Sequence, residues 1–328
     1  MSSGAIQSSF LPAPDDIPVG EAPPTRYRIR VGTASWTDPT LIRSGWYPPG
    51  VSDAAGRLRH YASRFSVVEA DAPYYAIPSA TVAESWVRRT PSSFTFDVKA
   101  SALLTGHRTD TARLPLSVRQ LLGPSERRLA SIGAADLTPE ILGAVTDAFG
   151  AFVQPLRESG RLGAVLFQYP RWFVPGAKAN AVLDGIRRDF PTLPIAVEFR
   201  NAAWGDPIAF REVTARMRAL RMTYVGVDAP RGISSAMVPI DAVTDRQMAI
   251  LRLHGRNARA WDARHTTAAT RFDYRYDDAQ LAEEVTPRVQ RLADEAAEVH
   301  VIFNNCHEDD GVRNAATLAR LVGALPAR

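Results

Sequence analysis

The chain has 328 residues, 45% of them hydrophobic, and one cysteine, Cys306. That length and apolar content supply one large domain with a substantial core, while a lone cysteine excludes an internal disulfide and a zinc ribbon. A net charge of +4 and a pI near 9.4, with the basic residues spread along the chain, permit a nucleic-acid partner without implying one.

Residues 1–26 are rich in Pro, Ser and Gly and carry little apolar periodicity, so a flexible tail is expected there, ahead of a single domain over 27–328. No apolar run long enough to span a bilayer and no secretory-type start is present, and a cytoplasmic protein without membrane association is expected.

From residue 27 onward, short β-rich segments alternate with helical patterns, as in a parallel sheet with crossover helices. Eight segments qualify: 28–36, 67–75, 94–101, 162–170, 194–201, 221–229, 248–256 and 298–305. Eight is the number of a (β/α)8 TIM barrel, and that α/β fold is predicted. The spacing of Ile141, Val145, Phe149, Phe152 and Leu156 behind Thr138 and Pro139 predicts a helix over 139–158, with Pro155 bending its end. Leu281, Val285, Val289 and Leu292 predict another over 278–297, opened by a capping-box-like Asp277 and Gln280, with a bend at Pro287. Residues 230–247 carry only a weak pattern and predict a short or irregular connection. Loops after strands (37–52, 102–138, 257–277) are long and those before strands short, which is the asymmetry of a barrel whose working face lies at the C-terminal strand ends.

Residues two apart share a face of a strand. That rule sets Glu69 and Asp71 apart from Val68, Asp97 and Lys99 apart from Phe96 and Val98, and Glu198 and Arg200 apart from Val197 and Phe199. The same reading turns Gln168, Asp228, Arg252, His254 and Asn304 toward the axis. The predicted catalytic residues are Glu69, Lys99, Glu198 and His254, whose protonation states would be coupled by burial and mutual charge. Predicted substrate contacts are Trp36, Asp71, Tyr75, Gln168, Arg200, Asp228, Arg256, Asn304 and Asn305. Only Lys99 and Lys178 are lysines among the 39 basic residues, which singles Lys99 out as an anion ligand or, less often, a Schiff-base amine. A carboxylate-rich divalent-metal site on Glu69, Asp71, Glu198, Asp228 and His254 is the lesser reading, since no His-x-x-x-His or comparable spacing supports it. No cofactor is assigned. Cys306 reads as a structural cysteine.

At the segments VGTASW with GWYPPG, LRHYASRFSVVEADAPYYAIPS, VAESWVRRTPSSFTFDVKA with LLTGHR, LGAVLFQYP, IAVEFRNAAW, LRLHG and VIFNN, the chain resembles the bacterial domain of unknown function 72 family, also called YecE-like. The resemblance covers nearly everything after the tail and implies a TIM barrel with no established activity. The endonuclease IV and xylose isomerase group offers a fold-level analogy alone. The chain departs from the family pattern at Asp71, where an asparagine is usual, at Arg171, where a second proline is common, and at Asn201, where a histidine often stands.

Three readings of function follow. The leading one is an enzyme, a hydrolase or isomerase in type, using acid/base chemistry on a small polar, anionic or sugar-like substrate. The second is a nucleic-acid binding or processing barrel, suggested by pI, arginine content and loop aromatics. The third is a non-catalytic ligand-binding protein. Oligomeric state is not legible.

Overall fold

The computed structural model describes residues 29–263 and 267–324, and in it all eight β-rich segments are parallel strands of one sheet. They are β1 (Ile29–Thr33), β2 (Val67–Ala70), β3 (Thr95–Lys99), β4 (Leu162–Gln168), β5 (Ile195–Glu198), β6 (Met222–Asp228), β7 (Met248–Leu253) and β8 (Glu298–Phe303). Their order is β1-β8-β7-β6-β5-β4-β3-β2. Every pairing along that order is parallel, and β1 meets β2 through the parallel bridge of Ala34 with Glu69. The sheet therefore closes on itself as a TIM barrel, which removes both edges. The tail expected at 1–26 lies outside the described residues.

The β1–β2 seam shows why VGTASW reads as it does. The Ser35 N–H donates to the Glu69 carbonyl at 2.8 Å. Below that bridge a side chain stands in for the missing ladder: the Tyr61 hydroxyl accepts the Thr33 N–H at 2.7 Å and donates to the Val67 carbonyl at 3.3 Å. A Cβ on Gly32 would lie 2.0 Å from the Val67 oxygen, so only glycine permits this approach of the two strands.

Seven longer helices pack outside the sheet among the described residues: α1 (Ala54–Ala62), α2 (Ala80–Arg88), α3 (Pro139–Glu158), α4 (Ala177–Asp189), α5 (Pro207–Ala219), α6 (Thr286–Glu295) and α7 (Asp310–Leu321). The strand-to-strand connection over 229–247 holds none, as its weak pattern predicts. In α3 the Thr138 side chain accepts from the Ile141 N–H, and Ile141, Val145, Phe149, Phe152 and Leu156 are the buried stripe. The helix runs through Pro155 to Glu158. Before α6, Asp277 and Gln280 exchange side-chain to backbone hydrogen bonds at 2.8 and 3.1 Å. The turn that follows, Gln280–Val285, is a π-helix, and Thr286 Oγ1 donates to the Leu281 carbonyl. A wide turn there accommodates Pro287, which has no N–H to continue an α-helical ladder.

The main apolar core lies between sheet and helices, with Trp86, Phe96, Phe149 and Phe152 among its larger members. The connection over 102–138 builds a satellite core of its own, in which Leu103, Leu114, Val118, Leu122 and Ile132 pack against Ile141 and Val145 of α3.

If the tyrosine hydroxyl holds the seam, Tyr61→Phe leaves a buried Thr33 N–H without its acceptor and lowers unfolding stability by about 1–3 kcal/mol. Urea denaturation measures this, and an unchanged midpoint would contradict the seam's role.

Candidate active site

Inward-facing strand residues fill the barrel with two charged layers. In the lower one, His300 on β8 meets both Asp97 oxygens through Nδ1, at 2.9 and 3.0 Å, and Glu298 through Nε2 at 3.2 Å. Arg30 closes the chain by pairing with Glu298. Gly163 on β4 makes room, since a Cβ there would come within 2.5 Å of Asp97 Oδ1 and 2.7 Å of His300 Cε1. Burial alone would lower the His300 pKa, but Asp97 and Glu298 outweigh it and raise it to about 9. This layer is saturated, each carboxylate meeting a cation.

The upper layer is organised by Arg252 on β7, which is 1% exposed. Its guanidinium reaches across the barrel to two carboxylates, Glu69 on β2 and Glu198 on β5. The two acids fare differently. Glu198 also accepts from Gln168 Nε2 at 2.8 Å and His254 Nε2 at 3.0 Å, with Arg200 at 3.6 Å. Burial works against its charge, yet Arg252, His254 and Arg200 together hold it well below the usual carboxylate range. Among the described residues Glu69 pairs with Arg252 alone. Burial raises its pKa more than Arg252 and Lys99 lower it, Asp71 adds repulsion, and the carboxyl is pushed up to about 8.

His254 is fixed between two partners. Asn304 Nδ2 donates to its Nδ1 at 2.9 Å, so Nε2 carries the hydrogen given to Glu198. Burial lowers its pKa to about 4 against the pull of Glu198, so the imidazole is neutral. Phe272 stacks on it, with ring centroids 5.9 Å apart.

Above this layer, at the C-terminal strand ends, lies a cleft of about 710 Å³. Lys99, the last residue of β3, stands on one wall with Nζ 4.4 Å from the Tyr74 ring centroid. Arg200 lies 5.0 Å from the Trp261 ring on another. Arg171 and Arg271 add two more cations, and Trp172 and Phe272 add flat apolar faces. Among the described residues Asp262 is the one carboxylate in the lining, and it is already held by Arg171 at 3.1 Å and by the Ser235 hydroxyl at 2.6 Å. His107 lines the cleft too. Burial, then Lys99 and Arg200, lower its pKa to about 4.

Of the residues predicted from sequence, Lys99, Tyr75, Gln168 and Arg200 line the cleft. Glu69, Glu198, His254 and Asn304 lie buried beneath it. Asp71 is part-buried beside Glu69, with Oδ1 buried and without a hydrogen-bond partner. Four of the predicted residues lie elsewhere. Trp36 is core, packed edge-on against Trp86 and Phe96. Asp228 shares its strand face with Tyr224, which packs on Phe210 and Phe199, so it points to the helices. There it binds Arg256, Arg288 of α6 and the Tyr276 hydroxyl, which also takes Arg256 out of the site. Asn305 donates to the Tyr274 carbonyl and to Asn314. Polarity misled the parity reading at Asp228, because a helix-side arginine satisfies a carboxylate as well as the barrel interior does. Sequence reading turned Arg252 inward without making it the hub. It missed His300, which has the parity of Asn304, and His107, a loop residue that no periodicity marks.

A divalent cation held by Glu69 and Glu198 would need the position that the Arg252 guanidinium fills. A second group, Asp273, His307 and Asp310, brings three donor atoms within 4.8 Å, but Arg275 pairs with Asp310 and supplies positive charge there. The Cys306 thiol donates toward the Ala34 carbonyl, and burial pushes its pKa up, the opposite of an activated nucleophile. Among the described residues no helix is long and apolar enough to cross a membrane.

The family profile described as "Protein of unknown function DUF72" matches residues 30–328. UPF0759 protein YunF of Bacillus subtilis (strain 168) is 29% identical over 297 residues, covering 90% of this chain and 94% of that protein. A crystal structure of a DUF72 family protein from Enterococcus faecalis V583 is similar at a TM-score of 0.72 and 26% identity, covering 92% of this chain and 99% of the other. One from Thermotoga maritima MSB8 is similar in fold at a TM-score of 0.69 and 24% identity, covering 90% and 99%.

The lower layer predicts a pH effect of defined sign. The folded-state pKa of His300, about 9, lies above its ordinary 6.5, so the pair's contribution is complete below 6.5 and is lost as pH rises through 9. Stability measured by urea denaturation across that window should fall in the wild type and fall less steeply in His300→Gln. Equal slopes would contradict the assignment.

Proposed function

We propose, from the premise that this chain belongs to the DUF72 family, that its C-terminal cleft is the active site of an enzyme performing acid/base chemistry on a small anionic substrate with a flat face. The observation that carries this reading is the imbalance of charge around the cleft. Lys99, Arg171, Arg200 and Arg271 line it, against one carboxylate that is already engaged. Among the described residues no carboxylate oxygen comes within 4.0 Å of the Lys99 amine. Arg271 Nε is buried without a hydrogen-bond partner, a donor that a bound anion would satisfy.

Size supports a small molecule, since 710 Å³ falls within the usual range for ligand sites. Trp172 and Phe272 offer faces against which a ring or sugar would stack. Glu69 is buried beneath the cleft and kept protonated near neutral pH by that burial, and it is the group able to exchange a proton with the site through water above it. Glu198 and His254 act differently from the sequence expectation. Both are sealed under the cleft, and they position Gln168 and Arg200 rather than meet a substrate.

One observation favours a second reading. Trp172 is 63% exposed beside Arg171 at the cleft rim, the arrangement on which a nucleic-acid base stacks. A non-catalytic ligand site would share the anion recognition but leave its ligand unchanged on prolonged incubation.

Thermal unfolding with added inorganic phosphate, a sugar phosphate and the matching neutral sugar separates the small-anion readings from the nucleic-acid one. The anions should raise the wild-type midpoint and the neutral sugar should not. Lys99→Met and Arg200→Met should weaken anion binding about 10- to 100-fold each, the loss of one charge-assisted hydrogen bond. Absence of any anion effect would contradict the reading, and oligonucleotide binding with a steep salt dependence would favour the second one.

A further inference from the structure

We infer that Lys99 is a covalent catalyst, its amine condensing with a carbonyl carbon of the anionic substrate to form an iminium. This rests on the anion-binding reading of the same cleft and names the functional group its substrate must carry.

The first argument is the choice of cation. Two lysines stand among 39 basic residues, and the other, Lys178, is exposed on α4. Arginine is the better anion ligand, because its planar fork makes paired hydrogen bonds to carboxylates and phosphates. The cleft is already lined by Arg171, Arg200 and Arg271. At the end of β3 the chain instead places the one cationic side chain that can lose a proton and form a bond to carbon. A guanidinium cannot do this.

The second argument is the setting of the amine. Lys99 ends its strand at the barrel mouth, where TIM-barrel chemistry is built. Among the described residues it has no carboxylate partner within 4.0 Å that would tie it into a structural ion pair. It lies over the Tyr74 ring at 4.4 Å, while Arg200 and His107 line the same cleft. An anionic group bound by the arginines would bring the rest of its molecule across the face of that amine.

The third argument is a proton donor on the adjoining strand. Glu69 on β2 is in register with Asp97, so it lies one inward position below Lys99. It gives an oxygen to Arg252 and keeps its proton near neutrality. The step then balances. The ammonium first gives a proton to solvent water; the amine then attacks the carbonyl carbon, one N–H proton passes to the oxygen, and a carbinolamine results. Glu69 gives its proton to that hydroxyl through an intervening water, water leaves, and the nitrogen lone pair closes the C=N⁺ bond. Glu69 is left as a carboxylate beneath an electron-withdrawing iminium, and the same water lets it take a proton back from the adjacent carbon. No oxidant, reductant or metal is required.

The test is reductive trapping on the full chain. The protein is incubated with dihydroxyacetone phosphate, and separately with pyruvate, in the presence of cyanoborohydride. Peptide mass spectrometry then locates any adduct. The expected result is a single adduct on the peptide carrying Lys99, slowed by added phosphate, kept in Lys178→Arg and lost in Lys99→Arg, which retains the charge. Mapping on the wild type makes the result independent of whether a variant folds. No adduct at Lys99, or equal labelling of Lys178, would overturn the inference. Midpoint shifts with phosphate on the same samples then show whether the anion site survives without the covalent step or falls with it.

Discussion

A single guanidinium bridging two buried carboxylates is the constraint on which the upper half of this barrel depends. Arg252 is 1% exposed, and its partners Glu69 and Glu198 are 1% and 0% exposed. Charges so far from water persist only when they are paired and hydrogen-bonded. One cation cannot fully compensate two anions, so the remainder must come from elsewhere. Glu198 receives it from Gln168, His254 and Arg200. Glu69 does not, and it faces Asp71 besides, so it retains its proton.

That asymmetry carries upward. Because Glu198 draws Gln168 and Arg200 down onto itself, both are fixed at the floor of the cleft. Because Glu69 is neutral, it adds no negative charge to cancel Lys99. The mouth is left with an excess of cations, and the same division that stabilises the barrel gives the site its preference for anions. The lower layer of Arg30, Glu298, His300 and Asp97 has no comparable remainder, since each carboxylate finds a cation. Similar chemistry in one barrel thus serves structure at one level and recognition at the next.

The fold was largely legible in the sequence. Eight apolar-alternating segments, long loops after strands and short ones before them are direct consequences of a closed parallel sheet. The capping pair Asp277 and Gln280 and the stripe of α3 were equally plain, being local. Features requiring distances across the barrel were not. Parity turned Arg252 inward, but its two partners lie 183 and 54 residues away, and nothing in the spacing says that one side chain meets both. Parity also assumed that polar means inward, which fails at Asp228 because Arg288 comes to it from α6. His107 sits in a loop where neither period applies, and Trp36 belongs to the core although it follows a strand end.

The claim that the two acids beneath the cleft are held in different protonation states is open to one direct measurement, a ¹³C-carboxyl NMR titration with Glu69→Gln used to assign the resonance. A Glu69 carboxyl that titrates near pH 8 while Glu198 stays ionised throughout is the expected result. A Glu69 that ionises with the surface carboxylates would contradict it, and with it the account of how the cleft acquires its charge and its acid.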